Sequence, residues 1–188
     1  MLLVGLIVLL VSIGTVEPIE FAIEYNSITK KTNEDQVYAG GWYLIGPFTS
    51  FFTFPATLVN IDWSEYPGSQ RGPLQKVKDS GGQDITLSFA IQYRLNQENI
   101  GRLYGKYKQD YERQFITWAD AEVRGIVGKF STTAFWGERA ASAERIRKAI
   151  DDKFREENQF VTCENLQIIN VQLSDKRETS LIDTQVTK

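Results

Sequence analysis

Between residues 39 and 61 the chain reads AGGWYLIGPFTSFFTFPATLVNI, with no charged side chain and with Trp42, Tyr43, Phe48, Phe51, Phe52 and Phe54 crowded together. Gly40, Gly41, Gly46, Pro47 and Pro55 punctuate it. Gly and Pro are the poorest helix formers, and Pro also removes a backbone donor, so one continuous helix is excluded. The stretch reads as short strands and turns. An aromatic, charge-free β segment has two ordinary homes. It is either a sheet face buried in the core or a face resting on the lipid interface, where Trp and Tyr prefer to sit.

The chain before it bears on that choice. Residues 2–16, LLVGLIVLLVSIGTV, are uncharged and apolar. As a helix they measure about 22 Å, against a hydrocarbon core of about 30 Å. We read residues 1–18 as an N-terminal transmembrane anchor whose Leu6, Leu9 and Leu10 meet lipid. It spans if the helix begins before Met1, if the bilayer thins, or if its boundary reaches Ile19 and Phe21. A cleaved signal peptide competes, with Ser12 and Gly14 as small residues near a cleavage site, but the basic n-region is missing. A buried core helix fits less well, because such a helix should carry a polar side and none exists. With this run in the bilayer, the aromatic stretch lies within a few tens of ångströms of lipid. Trp42, Tyr43, Phe48, Phe51, Phe52 and Phe54 then become membrane-contact candidates. Trp63 flanks the stretch and reads as a second interfacial anchor, whereas Trp118 and Trp136 read as core.

Composition removes several function classes. The 188 residues carry a formal charge of -3 and no His. A weakly acidic chain lacks the clustered basic surface that nucleic-acid binding requires. Without His there is no Ser-His or Cys-His nucleophile and no His-ligated zinc. A lone Cys163 excludes an internal disulfide framework and a multi-cysteine metal site. It falls in a strand pattern without a basic neighbour before Lys176, the setting of an inert buried thiol. The acidic pairs Asp120/Glu122 and Asp151/Asp152 sit at helical offsets that point to different sides, so neither converges into a general acid and base. No catalytic, cofactor or metal residue is expected, and the chain is read as not an enzyme.

Further elements follow from periodicity. Residues 19–25 alternate loosely as a strand, and 27–36 are a polar turn. Residues 63–82 form a loop or hairpin connection rich in Pro and Gly. Residues 84–95, DITLSFAIQYRL, alternate strictly, with Ile85, Leu87, Phe89, Ile91 and Tyr93 on one side. From Asn96 to about Phe130 the apolar spacing becomes helical, with a break expected near Gly105. A second helix is expected to start after Ser142 as N-cap, and residues 160–173 return to strand. The tail, residues 174–188, opens like another helix, with Asp175 and Glu178 at capping-box spacing. Leu181, Ile182 and Val186 form a seam fit for an oligomer interface.

This order of elements resembles the SPFH domain of stomatins, prohibitins and flotillins. The resemblance runs from about Phe21 to Lys188 and rests on GPFTSFFTFP, ITLSFAIQYRL, ADAEVRGIVGKFS and SAERIRKAIDDKF at these spacings. It implies an α+β fold: twisted β strands with two or three helices, preceded by the transmembrane helix and followed by the start of a C-terminal helix. The corresponding division is 1–18 anchor, 19–82 membrane-proximal aromatic-rich β subdomain, 83–173 α/β subdomain and 174–188 start of a coiled-coil helix. The family implies a membrane-anchored, non-enzymatic scaffold that self-associates and organises lipids or partner membrane proteins. An alternative is a fixed accessory subunit of a larger membrane complex. The expected partners are membrane lipids, further copies or other membrane proteins, with no nucleic acid and no cofactor. The expected location is a single-pass membrane protein of the mitochondrial inner membrane or of the plasma or ciliary membrane.

Overall fold

The computed structural model describes residues 12–157 and 159–173. The strands are β1 (Ile13–Val16), β2 (Glu20–Asn26), β3 (Lys31–Tyr38), β4 (Gly41–Leu44), β5 (Thr49–Pro55), β6 (Val59–Trp63), β7 (Leu74–Lys78), β8 (Asp84–Leu95) and β9 (Val161–Leu173). Between β8 and β9 come a 3₁₀ turn (Gln97–Asn99) and four helices, α1 (Ile100–Tyr107), α2 (Tyr111–Val127), α3 (Thr132–Gly137) and α4 (Arg139–Glu156). The chain divides into two compact units. Among the described residues, one comprises 12–59, 94–114 and 159–162; the other comprises 60–93, 115–157 and 163–173.

The first unit explains the aromatic stretch. β2 lies between β3 and β5 in an antiparallel sheet, and the register places Ile23 opposite Phe52, Phe21 opposite Phe54 and Glu24 opposite Phe51. Directly opposed residues share a face, and successive residues alternate. Phe52 and Phe54 therefore point to one side, where Phe52 stacks on Tyr104 of α1 at 5.3 Å and Phe54 meets Tyr104 and Tyr111. Phe51 points to the other side and meets Tyr38 at 5.2 Å and Tyr43 of β4 at 6.0 Å. Both faces of β5 are covered, which is why its run of Phe carries no charge. On the α1 side the backbones come very close. A Cβ at Gly101 would overlap the Glu34 carbonyl, and one at Gly105 would press on the Glu34 carboxylate.

The second unit is organised on β8, to which β6, β7 and β9 all pair. Its expected apolar side is fully buried, at Ile85, Leu87, Phe89, Ile91 and Tyr93. Trp63 of β6 stacks on Phe89 at 4.5 Å, and its Nε1 donates to Asp120 Oδ1 of α2 at 2.6 Å. Helix α4 sends Phe154 against Phe115 and Trp118. Its polar side chains take up backbone groups of β9. Arg147 donates to the Cys163 carbonyl at 2.9 Å, Asp151 accepts from the Cys163 amide at 3.1 Å, and Arg139 donates to the Ile168 and Ile169 carbonyls. Side chains bonded along a strand in this way shield backbone that would otherwise recruit another strand.

Several expectations change. The helix after β8 is interrupted at residues 108–110, where Lys108 has φ 54°, and not at Gly105, which serves the approach to β3. An additional short helix, α3, precedes α4, and α4 begins at Arg139 with Ser142 buried inside it rather than capping it. β3 falls in a segment read as a polar turn, because a strand this exposed and polar has no alternation to detect. β7 falls in the segment read as loop, and Lys76 at φ 54° kinks it where its register against β8 shifts.

The anchor boundary also moves. Ile13–Val16, assigned to a transmembrane helix ending at residue 18, is strand β1, paired antiparallel to β4, and Phe21 lies in β2. β-branched Ile13, Thr15 and Val16 favour the extended backbone. Among the described residues, no helix is long and apolar enough to cross a membrane. The rest of that apolar run, and the C-terminal helix expected at 174–188, lie outside the described residues.

Trp63 is the other correction: it is 1 % exposed, a core residue and not an interfacial anchor. Its indole bond gives a testable energy. Trp63→Phe keeps the stack on Phe89 but leaves Asp120 without its donor, so chemical denaturation should show a loss of about 1–2 kcal/mol.

Candidate functional site

The aromatic stretch sorts its side chains by strand geometry. In the β1–β4 ribbon Ile13 faces Leu44, Gly14 faces Tyr43, Thr15 faces Trp42 and Val16 faces Gly41. One face carries Gly14, Val16 and Tyr43 and turns inward. Val16 is buried, Tyr43 packs on Tyr38 at 4.7 Å, and a Cβ on Gly14 would run into Ile45 and Phe51. The other face carries Ile13, Thr15, Trp42 and Leu44, with Trp42 80 % and Leu44 72 % exposed. A two-stranded ribbon with one packed face leaves the opposite face to its surroundings, and here that face is apolar.

Hydrogen bonds gather two turns beside it. The Ser12 carbonyl accepts from the Ile45 and Gly46 amides at 2.8 and 3.2 Å, and Gly46 takes φ 92°, a conformation that suits Gly. The Ser27 amide and hydroxyl both donate to the Phe48 carbonyl, at 2.8 and 2.7 Å, which ties the β2–β3 turn to the β4–β5 turn. Asn26 Oδ1 shapes the β2–β3 turn by accepting from the Ile28 and Thr29 amides. Ile28 and Phe48, 65 % and 57 % exposed, thus stand at the end of the unit where Leu44 and Ile13 also lie. Exposed apolar side chains are ordinary when scattered; a gathered set marks an interaction surface.

Of the membrane-contact candidates, Trp42 and Phe48 are exposed, while Tyr43, Phe51 and Phe52 are half-buried in ring contacts. Phe54 is 2 % exposed, so its side chain has no surface to offer lipid, which corrects its place in that set. Leu6, Leu9 and Leu10, and the interface candidates Leu181, Ile182 and Val186, lie outside the described residues. Sequence reasoning missed Ile13, Ile28 and Leu44. The first two belong to short segments with other readings, and for Leu44 the signal was its two-residue spacing from Trp42.

The remaining chemistry-bearing residues have structural partners. Tyr38 donates to Glu24 at 2.5 Å; burial and that carboxylate push its hydroxyl up to about 12. Burial pushes the Cys163 thiol up to about 12 as well, which leaves almost no thiolate at neutral pH. Of the acidic pairs, Asp120 holds the Trp63 indole, and Asp151 holds the Cys163 amide and Arg155.

The comparison with known families agrees with this architecture. A model of the SPFH domain / Band 7 family matches residues 15–187, and the chain belongs to that family. Among curated proteins, none matches the chain.

Proposed function

We propose that this protein is a membrane-anchored scaffold of the stomatin/prohibitin kind, which self-associates and organises lipids or partner membrane proteins. The observation that carries the reading is the exposed apolar face of the β1–β4 ribbon. It directly follows the apolar residues 2–11 in the chain and continues into Phe48 and Ile28. Seating Trp42, Leu44 and Phe48 in lipid removes side chains worth roughly 1.5–3 kcal/mol each from water. An anchor made from residues 2–11 amounts to about 15 Å of helix. Such a short anchor calls for a locally thinned bilayer. The scaffold role and self-association rest on family membership, and the assembly seam proposed for them is Leu181, Ile182 and Val186.

The test measures the mass of the detergent-solubilised particle from its native source, together with vesicle flotation of the chain and of Trp42→Ser/Leu44→Ser/Phe48→Ser. The scaffold reading expects a uniform homo-oligomer. It also expects flotation that weakens at least tenfold in the triple variant, while thermal stability stays nearly constant because the substituted side chains are exposed. A particle of defined mixed composition would favour the accessory-subunit role. A lipid-free monomer would remove both.

A further inference from the structure

The apolar end of the first unit also sorts charge. The segments that build it are residues 12–15, 26–32 and 44–50, reading SIGT, NSITKKT and LIGPFTS. They contain Lys30 and Lys31 and no carboxylate. Both lysines are exposed, and among the described residues no ion pair engages either one. Their place is structural rather than statistical. Lys30 closes the β2–β3 turn at φ 56°, Lys31 opens β3 opposite Asn26, and the same turn is fastened to the Phe48 carbonyl through Ser27. Of the nearest carboxylates along the strands, Glu24 accepts from Tyr38 but lines one cleft with Lys31, whereas Glu34 lies against Gly101 and Gly105 of α1. Glu17 and Glu20 belong to the opposite end, where Glu20 faces Pro55 and the Glu20 amide bonds the Glu17 carbonyl.

We infer that this end is a lipid-selective surface, in which Ile13, Leu44, Phe48 and Ile28 enter the acyl region while Lys30 and Lys31 bind anionic phospholipid headgroups. The inference rests on the membrane contact proposed above and adds the chemical class of lipid. The geometry suits the division of labour. A lysine stem lies along apolar surface and delivers its ammonium to headgroup depth, a few ångströms from side chains already in the acyl boundary. An anionic surface attracts each such ammonium by about fivefold in affinity at low salt, so two give up to roughly 25-fold. Glu24 beside Lys31 offsets part of this attraction, and with no carboxylate at the tips themselves the two lysines leave that end net positive. The consequence is directional: the domain settles on the leaflet richer in anionic lipid and enriches that lipid beneath it.

Trp42 supplies the reporter, since it is 80 % exposed on the same ribbon whereas Trp63 and Trp118 are buried. The full chain is reconstituted in phosphatidylcholine bilayers doped with a small share of either brominated phosphatidylcholine or brominated phosphatidylserine. The quenching lost in Trp42→Phe is taken as the signal of that site. The expected result is several-fold stronger quenching by the brominated phosphatidylserine, falling to parity in Lys30→Asn/Lys31→Gln and on raising salt. Asn is used at position 30 because it accepts a left-handed backbone. Equal quenching by both lipids in the wild-type chain overturns the inference and leaves membrane contact standing. A preference for phosphatidylserine that survives the double substitution also overturns it. Quenching by neither lipid overturns the inference together with the membrane contact on which it rests.

Discussion

Replacing Asp79 by Ala should cost about 3–4 kcal/mol. Asp79 closes the β7–β8 turn, with Oδ1 accepting from the Gly81 and Gln83 amides at 2.9 and 2.8 Å. Oδ2 accepts from the Thr132 amide at 3.2 Å and from its hydroxyl at 2.6 Å, which fastens the start of α3 to that turn. The Ser80 amide adds a bond to the Phe130 carbonyl in the same place. Asp79 and Thr132 are buried, so truncation leaves the Thr132 donors without water to replace the carboxylate. Thr132→Ala removes only the hydroxyl and should cost about 1–1.5 kcal/mol, with clear coupling to Asp79→Ala in a double-mutant cycle.

The same carboxylate makes the chain acid-sensitive. Burial pushes the Asp79 carboxyl up, but the Thr132 hydroxyl and the Gln83, Thr132 and Gly81 amides outweigh it and hold it below its ordinary value. A group depressed on folding contributes stability that is present above its unfolded value, near pH 4, and is lost as pH falls through the folded one. Wild-type stability should therefore decline below about pH 4 by more than that of Asp79→Ala. Parallel acid titrations in which the two proteins lose equal stability below about pH 4 would refute this assignment.

Gly101→Ala should be nearly as damaging, by about 2–3 kcal/mol, although alanine is the better helix former by up to about 1 kcal/mol. The new methyl would overlap the Glu34 carbonyl, its carbon and its Cα, all backbone. A flexible side chain could step aside; a strand in a sheet cannot, so α1 must retreat and lose the contacts of Tyr104 with Phe52 and Phe54. Two other helical glycines calibrate the claim. A Cβ on Gly105 meets the Glu34 carboxylate, which can rotate away, so Gly105→Ala should fall near neutrality. Nothing lies within 4 Å of a Cβ at Gly125, so Gly125→Ala should stabilise by about 0.5–1 kcal/mol. Thermal melts of the three variants should rank in that order. A Gly101→Ala protein as stable as the parent would mean that α1 does not rest on β3.

Legibility varied with how far each element depends on distant partners. β8 could be read to the residue, because a strand buried on one side writes its environment as strict alternation in its own sequence. β2, β9 and the helical character of residues 100–130 and 142–156 were similarly visible, whereas the short helix α3 was not. β3 and β7 were not. β3 is polar and exposed, and β7 carries a left-handed Lys76, so pairing to a neighbour rather than internal pattern makes each a strand. Glycine weakens helices, which points to a break at Gly105; the contact with Glu34 instead uses that glycine within the helix, and the chain turns at Lys108.

The candidate surface shows the same division. Composition and spacing by themselves determined that residues 39–61 are β rather than helix and that histidine and multi-cysteine chemistry are absent, while the α+β fold was what the resemblance to the SPFH domain implied. They also brought Trp42 and Phe48 into view. Only the tertiary structure decided which aromatics are left outside. In TSFFTFP the sheet buries Phe54, half-buries Phe51 and Phe52 on opposite faces, and leaves charge-free β4 to show Trp42 and Leu44. Hydrophobicity is the same for all of them along the chain. What separates them is whether another element covers their face, and for β5 the covers are α1, distant in the sequence, and the β1–β4 ribbon, whose β4 directly precedes it.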